Sequence, residues 1–155
     1  MGMMNTAADH LYTLHRNAFA LAPVIQSFYL HWEPIEKDIL LSYLILPLVS
    51  FPAMQDYLHT ANRTSSIRTM TSDSSRLVGL ALRISEYKPI TNKALLILRS
   101  DESLQINDDL SVLASENRQS ENAAPKMLRY ARQLAMVFRN ESVVTIYRML
   151  GLKSL

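Results

Sequence analysis

Apolar positions along this chain recur mostly at helical spacing, and prolines and polar clusters divide them into segments. From His10 to Trp32 the text HLYTLHRNAFALAPVIQSFYLHW is apolar nearly all round, with Asn17 and Pro23 as punctuation, which predicts a buried helix pair or one kinked helix. Glu33-Pro34 then reads as the opening of a new helix, because proline is tolerated in a first turn and Glu36 and Asp38 suit the positive end of the helix dipole. That helix carries the uncharged run ILLSYLILPLVSF, Ile39 to Phe51, and Pro47 should bend or stop it. Pro52 opens a short helix over Ala53 to Thr60. A bilayer span needs about 20 apolar residues, and this run is shorter and interrupted, so it predicts a covered core helix with Leu44, Leu46, Pro47 and Leu48 inside.

The Ser-, Thr- and Asn-rich stretch Ala61 to Ser75 predicts a loop with one helical turn at Ile67 to Met70. Leu77, Leu80, Ala81 and Ile84 then mark a helix over Ser75 to Tyr87, capped by Asp73 or Ser74. Lys88-Pro89 is expected to end it, and Ile90, Ala94, Leu95 and Leu98 mark a second helix after a tight turn. Leu104 and Ile106, then Leu110 and Val112, alternate about Asn107-Asp108-Asp109, the pattern of a β-hairpin. Glu116 to Ala124 reads as a surface loop or linker. Two C-terminal helices follow within residues 125–152: Met127, Tyr130, Ala131, Leu134 and Phe138 face inward while Arg129, Arg132 and Arg139 face outward. Val143, Ile146, Tyr147 and Leu150 mark the last one, with Gly151 as a left-handed stop. The expected fold is therefore mainly α, a single domain over residues 1–155, with a winged-helix element (helix-turn-helix plus β-hairpin) over residues 73–115.

Composition changes this picture little. At 155 residues with 48% apolar content, one hydrophobic core is expected. The absence of cysteine removes disulfides, thiolate metal sites and thiol nucleophiles, and fits a reducing cytosol. The N-terminus lacks the pattern of a secretory signal, so the expected location is cytoplasmic. Charge is segmented beneath the net +2: residues 63–100 carry seven basic and two acidic side chains, residues 101–120 one and five, and residues 121–155 six and two. Two basic blocks can meet phosphate or an acidic protein.

The chemistry is mostly excluded. With glycine only at positions 2, 79 and 151, neither a phosphate-cradling loop nor a dinucleotide fingerprint can be written, and no cofactor is expected. His10, His15, His31 and His59 show no metal-binding spacing and no GxSxG elbow occurs, so the chain is not expected to be an enzyme. In the winged-helix reading, Thr91, Asn92, Lys93 and Arg99 lie on the helix that would enter a major groove. The hairpin acids Asp101, Glu102, Asp108 and Asp109 would repel the DNA backbone, which favours protein docking over groove reading. The candidate DNA or partner surface is Arg63, Arg68, Arg76, Lys88, Lys93 and Arg99.

The sequence resembles the middle component of bacterial three-component ABC systems from about Asn17 to Leu152, most specifically at LILPLV (Leu44 to Val49) and KPITNKALLIL (Lys88 to Leu98). It is similar in this to the small accessory subunit of Lamassu anti-phage systems. The resemblance implies a non-catalytic accessory subunit that links an SMC- or Rad50-like ABC ATPase to an effector, a nuclease in many such systems, with double-stranded DNA reached through the complex and no membrane involved. A free-standing winged-helix DNA-binding regulator is the alternative.

Overall fold

The structure, a computed structural model, describes residues 7–116 and 123–153, and side chains from Asn17 onward. Most of the linker expected at Glu116 to Ala124 lies outside the described residues, as do the side chains of His10 and His15. Helices α1 (Ala7–Leu30), α2 (Ser42–Val49), α3 (Pro52–Thr60), α4 (Ile67–Thr71) and α5 (Leu80–Ser100) precede an antiparallel hairpin of β1 (Leu104–Ile106) and β2 (Val112–Ala114). Helices α6 (Pro125–Phe138) and α7 (Val143–Met149) close the chain, and short 3-10 helices cover Asp38–Leu41 and Ser74–Leu77. The mainly α class is as expected.

The all-round apolarity of the first segment has a direct cause. Helix α1 is central: α5, α6, α2 and β2 all pack on it, and every residue from Ala22 to Tyr29 is buried. It is one helix, running through both Asn17 and Pro23. Phe28 anchors it, stacked on Trp32 at 5.5 Å and edge-on to Tyr29 at 5.1 Å and Phe138 at 6.3 Å, so that α1 and α6 share one aromatic cluster. Two polar side chains on α1 reach late segments of the chain: Gln26 Nε2 donates to the Ser115 carbonyl at 2.7 Å and Ser27 Oγ to the Leu128 carbonyl at 2.9 Å.

The uncharged run is covered by this chain alone. Leu41, Leu44, Ile45, Leu46, Leu48 and Val49 are all 0% exposed and Pro47 is buried, so none of Leu44, Leu46, Pro47 and Leu48 is available at an interface. Pro47 sits inside α2 and the helix ends two residues later, as its missing donor predicts. A helix end buried this deeply must satisfy its last carbonyls, and each has a named donor. Ser50 N and Oγ serve Leu46, Arg83 Nε serves Pro47, Phe51 N serves Leu48, and Gln55 Nε2 serves Val49. No single helix among the described residues is long and apolar enough to cross a membrane; the segment Asp38–Val49 with Pro52–Thr60 qualifies only as a pair bent by 102°.

Two proline readings are corrected. Pro34 opens no helix: residues 31–37 form an irregular loop, and helical structure resumes at Asp38. Lys88-Pro89 makes no turn either, since α5 runs unbroken from Leu80 to Ser100 with Pro89 inside it. Pro89 and Ser85, whose carbonyl loses its partner, are both exposed, so water can serve the carbonyl, while Thr91, Ala94 and Leu98 hold the opposite face in the core. Without that turn the helix-turn-helix half of the winged-helix element expected over residues 73–115 is not formed, and Thr91, far from reading a groove, is 0% exposed.

The hairpin half is formed, shifted by two residues on its second strand. Ile106 pairs with Val112 and Leu104 with Ala114, leaving Leu110 in the connecting turn at φ 64. It is no free wing. Lys37 N donates to the Asp109 carbonyl at 2.9 Å and Ile39 N to the Leu110 carbonyl at 3.1 Å, which staples the turn to the α1–α2 connection. Asp38 completes the staple from a fully buried position: its carboxylate accepts from Trp32 Nε1 at 3.0 Å, Ile35 N at 2.9 Å and Val112 N at 2.8 Å. Burial pushes the Asp38 carboxyl above its ordinary range, against the downward pull of these three donors.

Candidate functional site

The six cations singled out in the sequence do not form one surface. Lys88, Lys93 and Arg99 ride on α5, whereas Arg63, Arg68 and Arg76 belong to the α3–α5 connection, beside α6 and α7. Arg76 is engaged internally: Nη1 donates to the Thr69 and Met70 carbonyls at the end of α4, at 3.0 and 3.1 Å, and the guanidinium lies 4.4 Å over the Tyr57 ring. Its 4.0 Å contact with Asp73 is the one ion pair among the described residues. Lys88 leans toward the Tyr43 ring at 5.9 Å and Lys93 is half-buried.

On α5 the exposed face is apolar as well as cationic. Leu82 and Leu96 are 65% and 61% exposed, Pro89 lies between them at seven-residue spacing, and Val78, 63% exposed, extends the line just before the helix. Residues seven apart on a helix lie about 20° from eclipsed, so Leu82, Pro89 and Leu96 form one stripe. Glu86 and Lys93 border it on one side, Ser85 and Asn92 on the other. The sequence pattern of inward residues conceals this stripe, because Leu82 and Leu96 look like ordinary core leucines until their exposure is known.

Arg83, which the sequence did not single out, fixes α5 to the end of α2. Its guanidinium lies 3.7 Å over the Phe51 ring, Nε donates to the Pro47 carbonyl at 3.3 Å and Nη1 to the Val78 carbonyl at 2.7 Å. Partial burial draws its pKa downward, and it stays charged. Replacing Arg83 with methionine keeps the stem and orphans those carbonyls; we expect urea unfolding to show a loss of about 1–2 kcal/mol. No loss would mean that water replaces the guanidinium at no cost.

A second surface lies on α6. Lys126, Arg129, Arg132 and Arg139 are exposed on its outer side, and no acidic residue occurs between Ala123 and Asn140. Arg129 is held by the His59 carbonyl at 3.0 Å, and Arg139 by the carbonyls of Ser65, Met136 and Arg63. The latter contact brings Arg63 beside Arg139.

Two of the four acids expected to make the hairpin repulsive have local structural partners. Asp101 accepts from Ser103 N at 3.0 Å, and Asp109 from Ser111 Oγ at 2.6 Å and Ser111 N at 3.0 Å. The Ser111 hydroxyl and amide draw the Asp109 carboxyl below its ordinary value. An open groove of about 910 Å³ between the 31–37 loop and the start of α7 mixes Glu33, Glu36 and Glu141 with Lys37 and Arg139. Its one serine, Ser142, caps α7 through Thr145 N at 3.1 Å. Among the described residues no group of three His, Asp or Glu could hold a metal.

The two segments that carried the family resemblance meet in this fold. LILPLV lies in α2 and KPITNKALLIL in α5, the helices pack on each other, and Tyr43 Oη donates to Asn92 Oδ1 at 2.7 Å across them. A family model described as ABC-three component (ABC-3C) system Middle Component 3 matches residues 5–154. The chain belongs to that family. No curated protein and no solved structure matches it. The resemblance read from the sequence thus holds at the level of the middle component, and this Middle Component 3 protein is one part of a system with other components.

Proposed function

We propose that this Middle Component 3 protein is a non-catalytic accessory subunit that joins an SMC- or Rad50-like ABC ATPase to an effector, a nuclease, in a cytoplasmic anti-phage complex of the Lamassu kind. Its contact with the ATPase is the outer face of α5. The observation that carries this is the stripe Val78, Leu82, Pro89 and Leu96, a line of exposed apolar side chains along α5 and just before it that the other described residues leave uncovered. Lys93 borders it together with Glu86, and Lys88 and Arg99 lie farther round α5 with no further acid on the helix, so its occupant is a helix with an apolar spine and acidic flanks. The free-standing regulator loses support, because the unbroken α5 offers no separate recognition helix.

The test is co-expression with the ABC ATPase encoded beside this chain. L82E/L96E places two charges on the stripe without touching the core, and we expect the amount of ATPase that co-purifies to fall at least tenfold while the melting temperature of the isolated chain stays within about 2 °C. Undiminished co-purification would remove α5 as the docking face, and an adjacent gene set without an ABC ATPase would remove the adaptor role itself.

A further inference from the structure

We infer that the outer face of α6 is a binding surface for the phosphate backbone of nucleic acid. Lys126, Arg129, Arg132 and Arg139 project from one side of this helix, and Arg63 and Arg68 flank it from the α3–α4 connection and α4. The described acids on the elements bordering them are Asp56 of α3, Asp73 after α4, Glu141 after α6, and Glu33 and Glu36 of the loop that shares a groove with Arg139; none forms an ion pair with any of the six cations. Six cations without a paired carboxylate among the described residues repel one another, so this arrangement costs folding energy that a polyanion recovers.

Two features favour phosphate over an acidic protein. A protein-docking face has an apolar centre, and α6 contributes none of the large exposed hydrophobic side chains of this molecule; Val78, Leu82 and Leu96 lie with α5 and the others on α1, the hairpin and α7. The second feature is order. Arg129 and Arg139 are exposed and each is tied to backbone carbonyls, Arg129 by a single bond that leaves most of its guanidinium donors unused, and guanidinium forks match phosphate oxygens. From Lys126 to Phe138 the helix rises about 18 Å, with Arg139 just beyond its end, a length that faces about five phosphates along one strand of a duplex. Exposed side chains on the outside of a helix meet phosphates without reaching base edges, so the binding is sequence-independent. This surface is separate from the α5 stripe, and either can fail without the other.

The experiment uses the full chain and fluorescence anisotropy with a labelled random duplex of about 20 base pairs and its single strand. Affinity should fall linearly on a log–log plot against salt. K126Q/R132Q removes two cations that hold no partner among the described residues; it should weaken binding roughly 10- to 100-fold near 0.1 M salt and flatten the slope by about 2. K93Q/R99Q on α5 should change neither, and unchanged melting curves show that both variants fold. Preference for duplex or single strand identifies the form of nucleic acid, and either supports the assignment. It is overturned if the wild-type chain binds neither form, if K126Q/R132Q keeps the wild-type slope, if K93Q/R99Q loses as much affinity, or if K126Q/R132Q abolishes assembly with a protein component while DNA affinity is untouched.

Discussion

Asp38→Ala removes about 3–5 kcal/mol of unfolding free energy, a large part of what a domain of this size possesses. The side chain is 0% exposed and accepts three N–H donors that belong to three segments: the Trp32 indole at the end of α1, the Ile35 amide in the loop, and the Val112 amide of β2. Alanine leaves the Trp32 and Val112 donors buried and unpaired and the Ile35 amide partly buried, at about 1–3 kcal/mol for each buried donor, and relief from burying a carboxylate offsets part of that. Equilibrium urea unfolding measures the difference. Asp38→Asn keeps one acceptor and should lose less. A D38A midpoint equal to that of wild type would mean that the hairpin does not depend on this staple.

The same residue gives stability a pH signature with a definite sign. Because burial raises the carboxyl from its ordinary value of 3.8, folded Asp38 keeps its proton at pH values where the unfolded chain has already released it. Its stabilising contribution is complete below the unfolded value and is lost as pH rises through the folded one. The difference in stability between wild type and D38N should therefore shrink as pH increases through that interval. A difference that grows with pH would show that the three donors, and not burial, control the carboxyl.

Phe28→Ala is the other large expected loss, about 3–5 kcal/mol. The ring is 0% exposed and touches Tyr29 and Trp32 on its own side and Phe138 across the core, so its removal opens a cavity where α1 meets α6. Phe28→Leu fills most of that space and should cost about 1–2 kcal/mol. Thermal unfolding of the pair separates the cavity from the ring contacts; equal losses would mean that the aromatic geometry, and not volume, carries the effect.

Much of the fold was legible residue by residue. Pro52 opens α3 where expected, α4 occupies the turn anticipated at Ile67 to Met70, Gly151 adopts φ 76 after α7, and a hairpin follows Leu104. These features depend on local chemistry: a missing donor, a capping hydroxyl, a glycine free to turn left-handed. The prolines divided. Pro47 and Pro52 act as read, whereas Pro34 starts no helix and Pro23 and Pro89 interrupt none, because packing of α1 and α5 on each other outweighs the loss of one hydrogen bond in each.

The candidate surface was legible only in part. Arg63, Arg68, Lys88, Lys93 and Arg99 are on the surface or at its edge, but sequence distance said nothing about which of them share a face, and Arg76 turned out to clasp α4. The outward arginines of α6 were visible in the periodicity, yet their tie to Arg63 spans a separation of 76 residues, which no local pattern encodes.

By itself, then, the sequence determined the helical class, the depth of Ile39 to Phe51 in the core and membership of the middle-component family, because periodicity, proline chemistry and short motifs act over a few residues. Only the tertiary structure decided that α5 is one helix with an apolar outer stripe, that Asp38 holds the hairpin, and that α6 is cationic without apolar company. Each of those depends on which distant segment lies against a residue, since burial and unpaired charge are properties of the assembled surface.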